Sequence, residues 1–363
     1  MYSLIRPLLF CMNPEASHNL VLGSLAKISR HRSANDLLAK QFGATVPSLP
    51  LRIMDLDFPN PVGLAAGLDK QGNCANALSA LGFGWVELGT VTPLPQPGNP
   101  KPRMFRLIEH QAIINRMGFN SIGLDRFLNN INRTSPGIIK GINIGKNAST
   151  PVDQAPADYL TCLDAVYSHA DYITINISSP NTSNLRNLQQ NDALDSLLEP
   201  LNRRRQELCD QYGRHVPLVL KIAPDLDNNQ VNVIAAQLRK HRLDGVAATN
   251  TTVSRDAVSG HRNAHEDGGL SGPPVRDMST IVLKLLFKNL QGEIPIIGIG
   301  GIDSASAAIE KFEAGADLVQ LYTGFIYKGP KLIKEIVFDL SERCGSNDFG
   351  HFVSTLRQQI VRN

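Results

Sequence analysis

The chain lacks the marks of several protein classes. Its five cysteines, Cys11, Cys74, Cys162, Cys209 and Cys344, lie far apart and make no C-x-x-C pair. That excludes a disulfide scaffold and fits a reducing compartment. No apolar run approaches the roughly 20 residues needed to span a bilayer, and the start carries no signal-peptide pattern. The expectation is a protein neither exported nor threaded through a membrane. Low-complexity runs are missing despite 29 glycines and 22 prolines, which argues against a disordered or fibrous chain. Also missing are a G-x-G-x-x-G opening the first strand–helix unit and any cluster of His, Asp, Glu and Cys, so neither a dinucleotide fold nor a metal centre is expected.

Charge is scarce and unevenly spread. The net value is +3, and residues 1–46 hold all of it: Arg6, Lys27, Arg30, Arg32 and Lys40 against Glu15 and Asp36. A short basic end on a balanced body suits an anionic lipid surface better than nucleic acid, which demands a larger basic face. An ordinary solvated helix face is the plainer alternative. Two short helices are legible there. One carries Leu4, Ile5, Leu8, Leu9 and Phe10, and a second opens with Asn13 as cap and Pro14 in its first turn. Helices of this kind lie in a lipid interface or pack on a domain.

From residue 61 onward, eight short runs rich in Val, Ile, Ala and Gly alternate with helical patterns: 61–67, 85–90, 138–145, 172–178, 217–223, 245–250, 294–301 and 318–324. Helices are expected over 72–82, 121–132, 155–170, 191–213, 228–242, 275–290, 304–315 and 330–343. Eight strand–helix units without reversal predict a (β/α)8 barrel with a small N-terminal helical extension; a doubly wound sheet is the competing fold. The second unit holds a long proline-rich loop, 91–117, and loops of that length are usually functional.

A barrel carries its chemistry at the C-terminal ends of the strands, and the unusual polar residues collect there. They are Asp69 and Lys70, Thr90, Asn143 with Lys146 and Asn147, Asn176 with Ser178, Ser179 and Asn181, Lys221, Thr249 to Thr251, Gly300 and Gly301, and Tyr322 to Gly324; Asn115 and Asn120 come from the long loop. Asn side chains both donate and accept, so several on one rim suit a flat heterocycle with alternating N–H and C=O, and a lysine suits its carboxylate. The glycines ending strands seven and eight, with Ser304 at a helix start, read as a phosphate cradle.

These segments, NPVGLAAGLDK, GFGWVELGTVTPLPQPGNPKPRMFRL, INRMGFNS, NISSPNT, LKIAPD, TNTT, GGLSG, IPIIGIGGI and YTGFIYKGP, occur in the order found in the class 2, quinone-dependent dihydroorotate dehydrogenases, and the chain resembles that family from its first helix to its last barrel unit. The resemblance implies FMN as cofactor, held by Ala66, Gly67, Lys70, Thr90, Asn143, Asn176, Lys221, Thr249, Gly272, Gly301, Tyr322 and Thr323. It implies dihydroorotate at Lys70, Asn115, Arg116, Met117, Gly118, Phe119, Asn176, Asn181, Asn250 and Thr251. Ser179 becomes the catalytic base, with Thr182 as a proton-relay candidate; class 1 relatives carry a cysteine at that place. Lys221 is expected to face the flavin, with Asp225 as its only obvious acidic neighbour. Residues 1–46 become a membrane and quinone-access unit and 47–363 the FMN-binding barrel, with His18 and Arg106 near the quinone head. The implied protein is a monomer lying peripherally on the cytoplasmic face of the membrane. Residues 259–269, with His261 and His265, read as a mobile active-site lid rather than a metal site. Another FMN barrel with a different acceptor or substrate is the alternative.

Overall fold

The structure is a computed structural model that describes residues 2–345 and 348–361. Eight parallel strands close into a barrel: β1 (Val62–Leu64), β2 (Trp85–Val91), β3 (Lys140–Ile144), β4 (Tyr172–Asn176), β5 (Leu218–Ile222), β6 (Gly245–Ala248), β7 (Ile296–Ile299) and β8 (Leu318–Leu321). Each pairs with the next in sequence, and β8 returns to β1 with Leu321 opposite Leu64. The strands are almost wholly buried, one side chain set facing the axis and the other the helices, which is why they read as continuous apolar runs.

The helices bury one stripe each. In Asn228–Lys240 the stripe is Val231, Ile234, Ala235 and Leu238, and the first turn is fixed by a capping box in which Asp227 and Gln230 exchange hydrogen bonds. Leu332, Ile333, Ile336, Val337 and Leu340 do the same in Lys331–Cys344. The barrel's N-terminal end is closed by a hairpin, Leu51–Ile53 with Leu56–Phe58, whose two turn residues Met54 and Asp55 both have positive φ. Leu51, Ile53, Met54 and Leu56 pack against the floor layer of Phe58, Trp85, Tyr172 and Val219. Gly63 makes room for that layer, since a Cβ there would stand 2.1 Å from the Trp85 ring.

Three features depart from the sequence expectation. The stretch 91–117 is not all loop: Met104–Leu107 and Ala112–Asn115 form a hairpin, and Gly269–Ser271 adds a third antiparallel strand beside it. The N-terminal extension has three helices, α1 (Tyr2–Cys11), α2 (Pro14–Ser29) and α3 (Arg32–Gln41), rather than two. Asn13 caps α2 as expected, accepting from the N–H groups of Glu15 and Ala16. The third departure concerns residues 259–269, which are tied down. His261 bonds Glu109 at 3.0 Å, Asn263 donates to the Arg106 carbonyl, and Arg255 holds the carbonyls of Glu266 and Gly268.

Candidate active site

At the C-terminal mouth of the barrel lies a half-open cavity lined by residues from the ends of the strands and the loops that follow them. All of the residues expected around flavin and substrate line it except Arg116 and Asn143. Arg116 turns outward instead, pairing with Glu266 at 2.6 Å and lying over the Phe105 ring. Asn143 sits one layer below. Its Oδ1 accepts from Thr90 at 2.5 Å and from Asn176 at 3.0 Å, so it sets the orientation of two wall residues.

Beneath these stands Glu87, a fully buried carboxylate on β2 that the sequence reading passed over. It accepts from Asn143 (2.8 Å), Tyr172 (2.8 Å) and Gln320 (2.8 Å), and Lys221 Nζ lies 3.9 Å away. The partner of Lys221 is therefore Glu87 and not Asp225, which pairs with Arg186. Burial lowers the Lys221 pKa, and Glu87 opposes that shift. Period two along β2 turns Glu87 toward the axis with Trp85; that alternation was the available signal, and attention to strand ends alone missed it.

The upper wall is amide-rich. Asn181 donates to the Asn115 side chain at 3.4 Å, Asn250 donates to Ser178 Oγ at 3.0 Å and to Asn176 Oδ1 at 3.4 Å, and Lys70 donates to Asn120 at 2.5 Å. Burial, with Arg103 nearby, brings the Lys70 ammonium down to about 7. Ser179 is buried, and its Oγ accepts the Asn181 N–H at 3.3 Å. The buried hydroxyl of Thr182 has no hydrogen-bond partner. The loop carrying both is anchored by Arg186, which donates to the Ser178 and Thr251 carbonyls and pairs with Asp225 at 2.8 Å. No residue of 253–270 lines the cavity, whereas Ser179 and Asn181 of the β4 loop do.

Opposite, Gly300 and Gly301 turn with φ of 110° and 73°, a conformation only glycine adopts cheaply. The Gly301 position is also pressed against Arg276. Ser304 caps the following helix by accepting the Ala307 N–H, and Thr323 donates to Ser271 at 2.8 Å. Lys146 and Asn147 are structural: Lys146 donates to the carbonyls of Asn147 and Thr150, and Asn147 secures Leu94 and Gln96 of the proline loop.

His18 and Arg106 are set apart from this cavity. His18 lines a second one between α2 and the barrel, with Glu15, Lys70 and Asn120; burial and Lys70 lower its pKa to about 4, which keeps the imidazole neutral. Arg106 donates to the carbonyls of Phe10 and Met12 at the end of α1 and lies 4.5 Å from the Phe10 ring centroid. Among the described residues no three His, Cys, Asp or Glu side chains gather to hold a metal ion, and no helix is long and apolar enough to cross a membrane.

Fold and cavity define an enzyme of the (β/α)8-barrel class, with its polar groups converging at the C-terminal mouth. Residues 48–344 match the family model described as dihydroorotate dehydrogenase. A dihydroorotate dehydrogenase (quinone) of Idiomarina loihiensis is 56% identical over 340 residues, covering 94% of this chain and 100% of that one. Its counterpart in Thiobacillus denitrificans is 55% identical, covering 94% and 100%. Among solved structures, the Eimeria tenella enzyme in complex with ferulenol superposes with a TM-score of 0.84 at 34% identity, covering 96% of this chain and 98% of that one. The chain belongs to the dihydroorotate dehydrogenase family.

Proposed function

We propose that the protein oxidises dihydroorotate to orotate with FMN as its cofactor and a membrane quinone as final electron acceptor, a step of pyrimidine synthesis. The single observation that carries this is the cavity, where amides, two lysines and a buried serine converge on one space with a glycine turn at one end. That mixture of a largely apolar pocket with a few convergent polar groups is the ordinary character of a cofactor site and suits a flavin with a small ring stacked on it.

The residues fit FMN. Gly300, Gly301 and Thr323 supply backbone donors and a hydroxyl for its phosphate, and Lys221 with Thr90, Asn176 and Thr249 forms the wall for its ring. When bound, FMN supplies a hydride acceptor and a two-electron carrier to the quinone. The protein's own work is then positional. Lys70 meets the substrate carboxylate, while Asn115, Asn176, Asn181 and Asn250 meet the ring edge. Ser179 takes the C5 proton. A serine is a poor base in water, so the burial of Ser179 supports a site shielded from solvent, and the buried, unpartnered hydroxyl of Thr182, three residues on in the same loop, is the candidate to carry the proton away.

Residues 1–46 serve as the quinone-access and lipid-facing unit and 47–363 as the catalytic barrel, the chain working as a monomer on the cytoplasmic membrane surface. The quinone approaches between the α1–α2 pair and the barrel, with neutral His18 and the Arg106-anchored end of α1 flanking the passage. Serine at 179 favours this reading over that of a class 1 relative. In the test, dihydroorotate is added without oxygen to the yellow protein. The flavin absorbance should bleach and return with a quinone but not with fumarate or NAD. A protein that stays colourless after reconstitution with FMN ends the proposal.

A further inference from the structure

Lys311, on the helix Ala305–Glu313, is fully buried and stands outside the cavity, directly behind its glycine turn. Its ammonium donates to the Arg276 carbonyl (3.1 Å), to the Ser279 hydroxyl and to the Thr280 hydroxyl (2.6 Å). Ser279 Oγ in turn lies 3.2 Å from the carbonyl of Gly300, which is part of the cavity wall.

A purely structural role accounts poorly for a cation here. A buried ammonium is costly unless an anion answers it, and among the described residues no carboxylate forms an ion pair with Lys311. Glu310 is reached only through Thr280, whose hydroxyl lies 3.2 Å from the Glu310 carboxylate, and Asp303 is engaged by Arg276. The acceptors all belong to the first turns of the helix Arg276–Leu290, the positive end of its macrodipole, which disfavours a cation further. A methionine of similar length would fill the space without that penalty. This positive charge, only partly answered by the more distant Glu310 and Asp277, is separated from the cradle by Ser279 and Gly300. Burial lowers its pKa to about 7, with Glu310 and Asp277 opposing and Arg276 reinforcing that shift, so an anion at the cradle favours its charged form.

We propose that Lys311 is a positioning and specificity-determining residue for the cofactor: a buried charge that acts through Ser279 on the Gly300–Gly301 turn and makes the site prefer a phosphorylated flavin over its unphosphorylated form. The idea rests on the FMN reading above. It is tested with Lys311→Met as purified holoenzyme, in which flavin released on dilution is followed by its fluorescence, first with FMN and then with riboflavin exchanged in by dialysis. FMN should be held more weakly, on the order of tenfold for one screened unit charge. Riboflavin retention should be unchanged, and thermal stability equal or higher. Equal weakening of both flavins, or a lower melting temperature with the preference intact, makes Lys311 a structural tie and overturns the proposal. Should Lys311→Met not fold, Ser279→Ala cuts the relay while keeping the charge, and an unaltered preference there overturns it as well. A wild-type protein that never holds flavin defeats the parent reading, whereas a wild type that holds FMN without preferring it to riboflavin defeats this one alone.

Discussion

At the scale of single residues, Lys70 gives the site a pH signature. Burial brings its free-state pKa to about 7, against 10.5 for an ordinary lysine. A bound carboxylate favours the charged form, so binding orotate above pH 7 takes up a proton. Affinity should then fall as pH rises, by up to about tenfold per unit while the free amine is neutral and the bound one charged. The same depression acts on stability with a definite sign: the contribution is present above pH 10.5 and is lost as pH falls toward 7. Titrating orotate into the oxidised protein between pH 6 and 9 checks the first statement. A flat profile, or one that Lys70→Met leaves unchanged, removes Lys70 from the carboxylate site. The residues at strand ends were legible in the sequence because barrel geometry names their place in advance. Glu87 and Gln320 were not, because a polar residue inside an apolar strand declares its role only when its partners from other strands are seen.

At the scale of elements, strand and helix positions were legible from periodicity and came out one to three residues too long at most ends, where caps and frayed turns decide. The floor hairpin and the three-stranded outer sheet were not legible. Their strands are three or four residues long, too short for a period, and prolines 93 to 102 masked the sheet as loop. The β4 loop was read correctly as the carrier of Ser179, yet its anchor was invisible, since Arg186, Asp225 and Thr251 come from three separate connections. Removing that anchor should matter. Arg186→Leu leaves the half-buried Asp225 without its ion pair, costing about 1–3 kcal/mol, and frees the backbone of Ser178. Flavin reduction by dihydroorotate, followed by stopped flow, should slow by roughly 10- to 100-fold while FMN content stays near that of the wild type. Equal rates in both proteins would mean that Ser179 needs no such support.

At the scale of the whole molecule, the charge asymmetry of the first 46 residues coincides with an apolar one. Leu4 and Leu8 are 78% and 71% exposed, and Ile5, Met12, Leu20, Val21 and Leu37 are also open to solvent; Lys27, Arg30, Arg32 and Lys40 of the same extension are exposed too. Meanwhile the inner side of the extension is fastened: Arg103 pairs with Glu15 at 2.8 Å and also holds the carbonyls of Pro97 and Asn99, and Arg6 donates to the Tyr327 carbonyl. An extension fastened to the barrel and carrying both exposed apolar and exposed basic residues combines the two signals that interfacial binding needs, since one weak hydrophobic signal is insufficient and a basic one adds to it. Burying two leucines in the lipid interface contributes about 3 kcal/mol together, on the order of a hundredfold in affinity. The double variant Leu4→Glu with Leu8→Glu should therefore bind vesicles containing anionic lipid about a hundredfold less tightly by co-sedimentation, and turn over slowly with a quinone embedded in them. Flavin reduction by substrate should not change, because neither leucine touches the cavity. Undiminished vesicle binding would place the lipid contact elsewhere, and a parallel loss of flavin reduction would mean that α1 supports the barrel's chemistry and not only its access to the membrane.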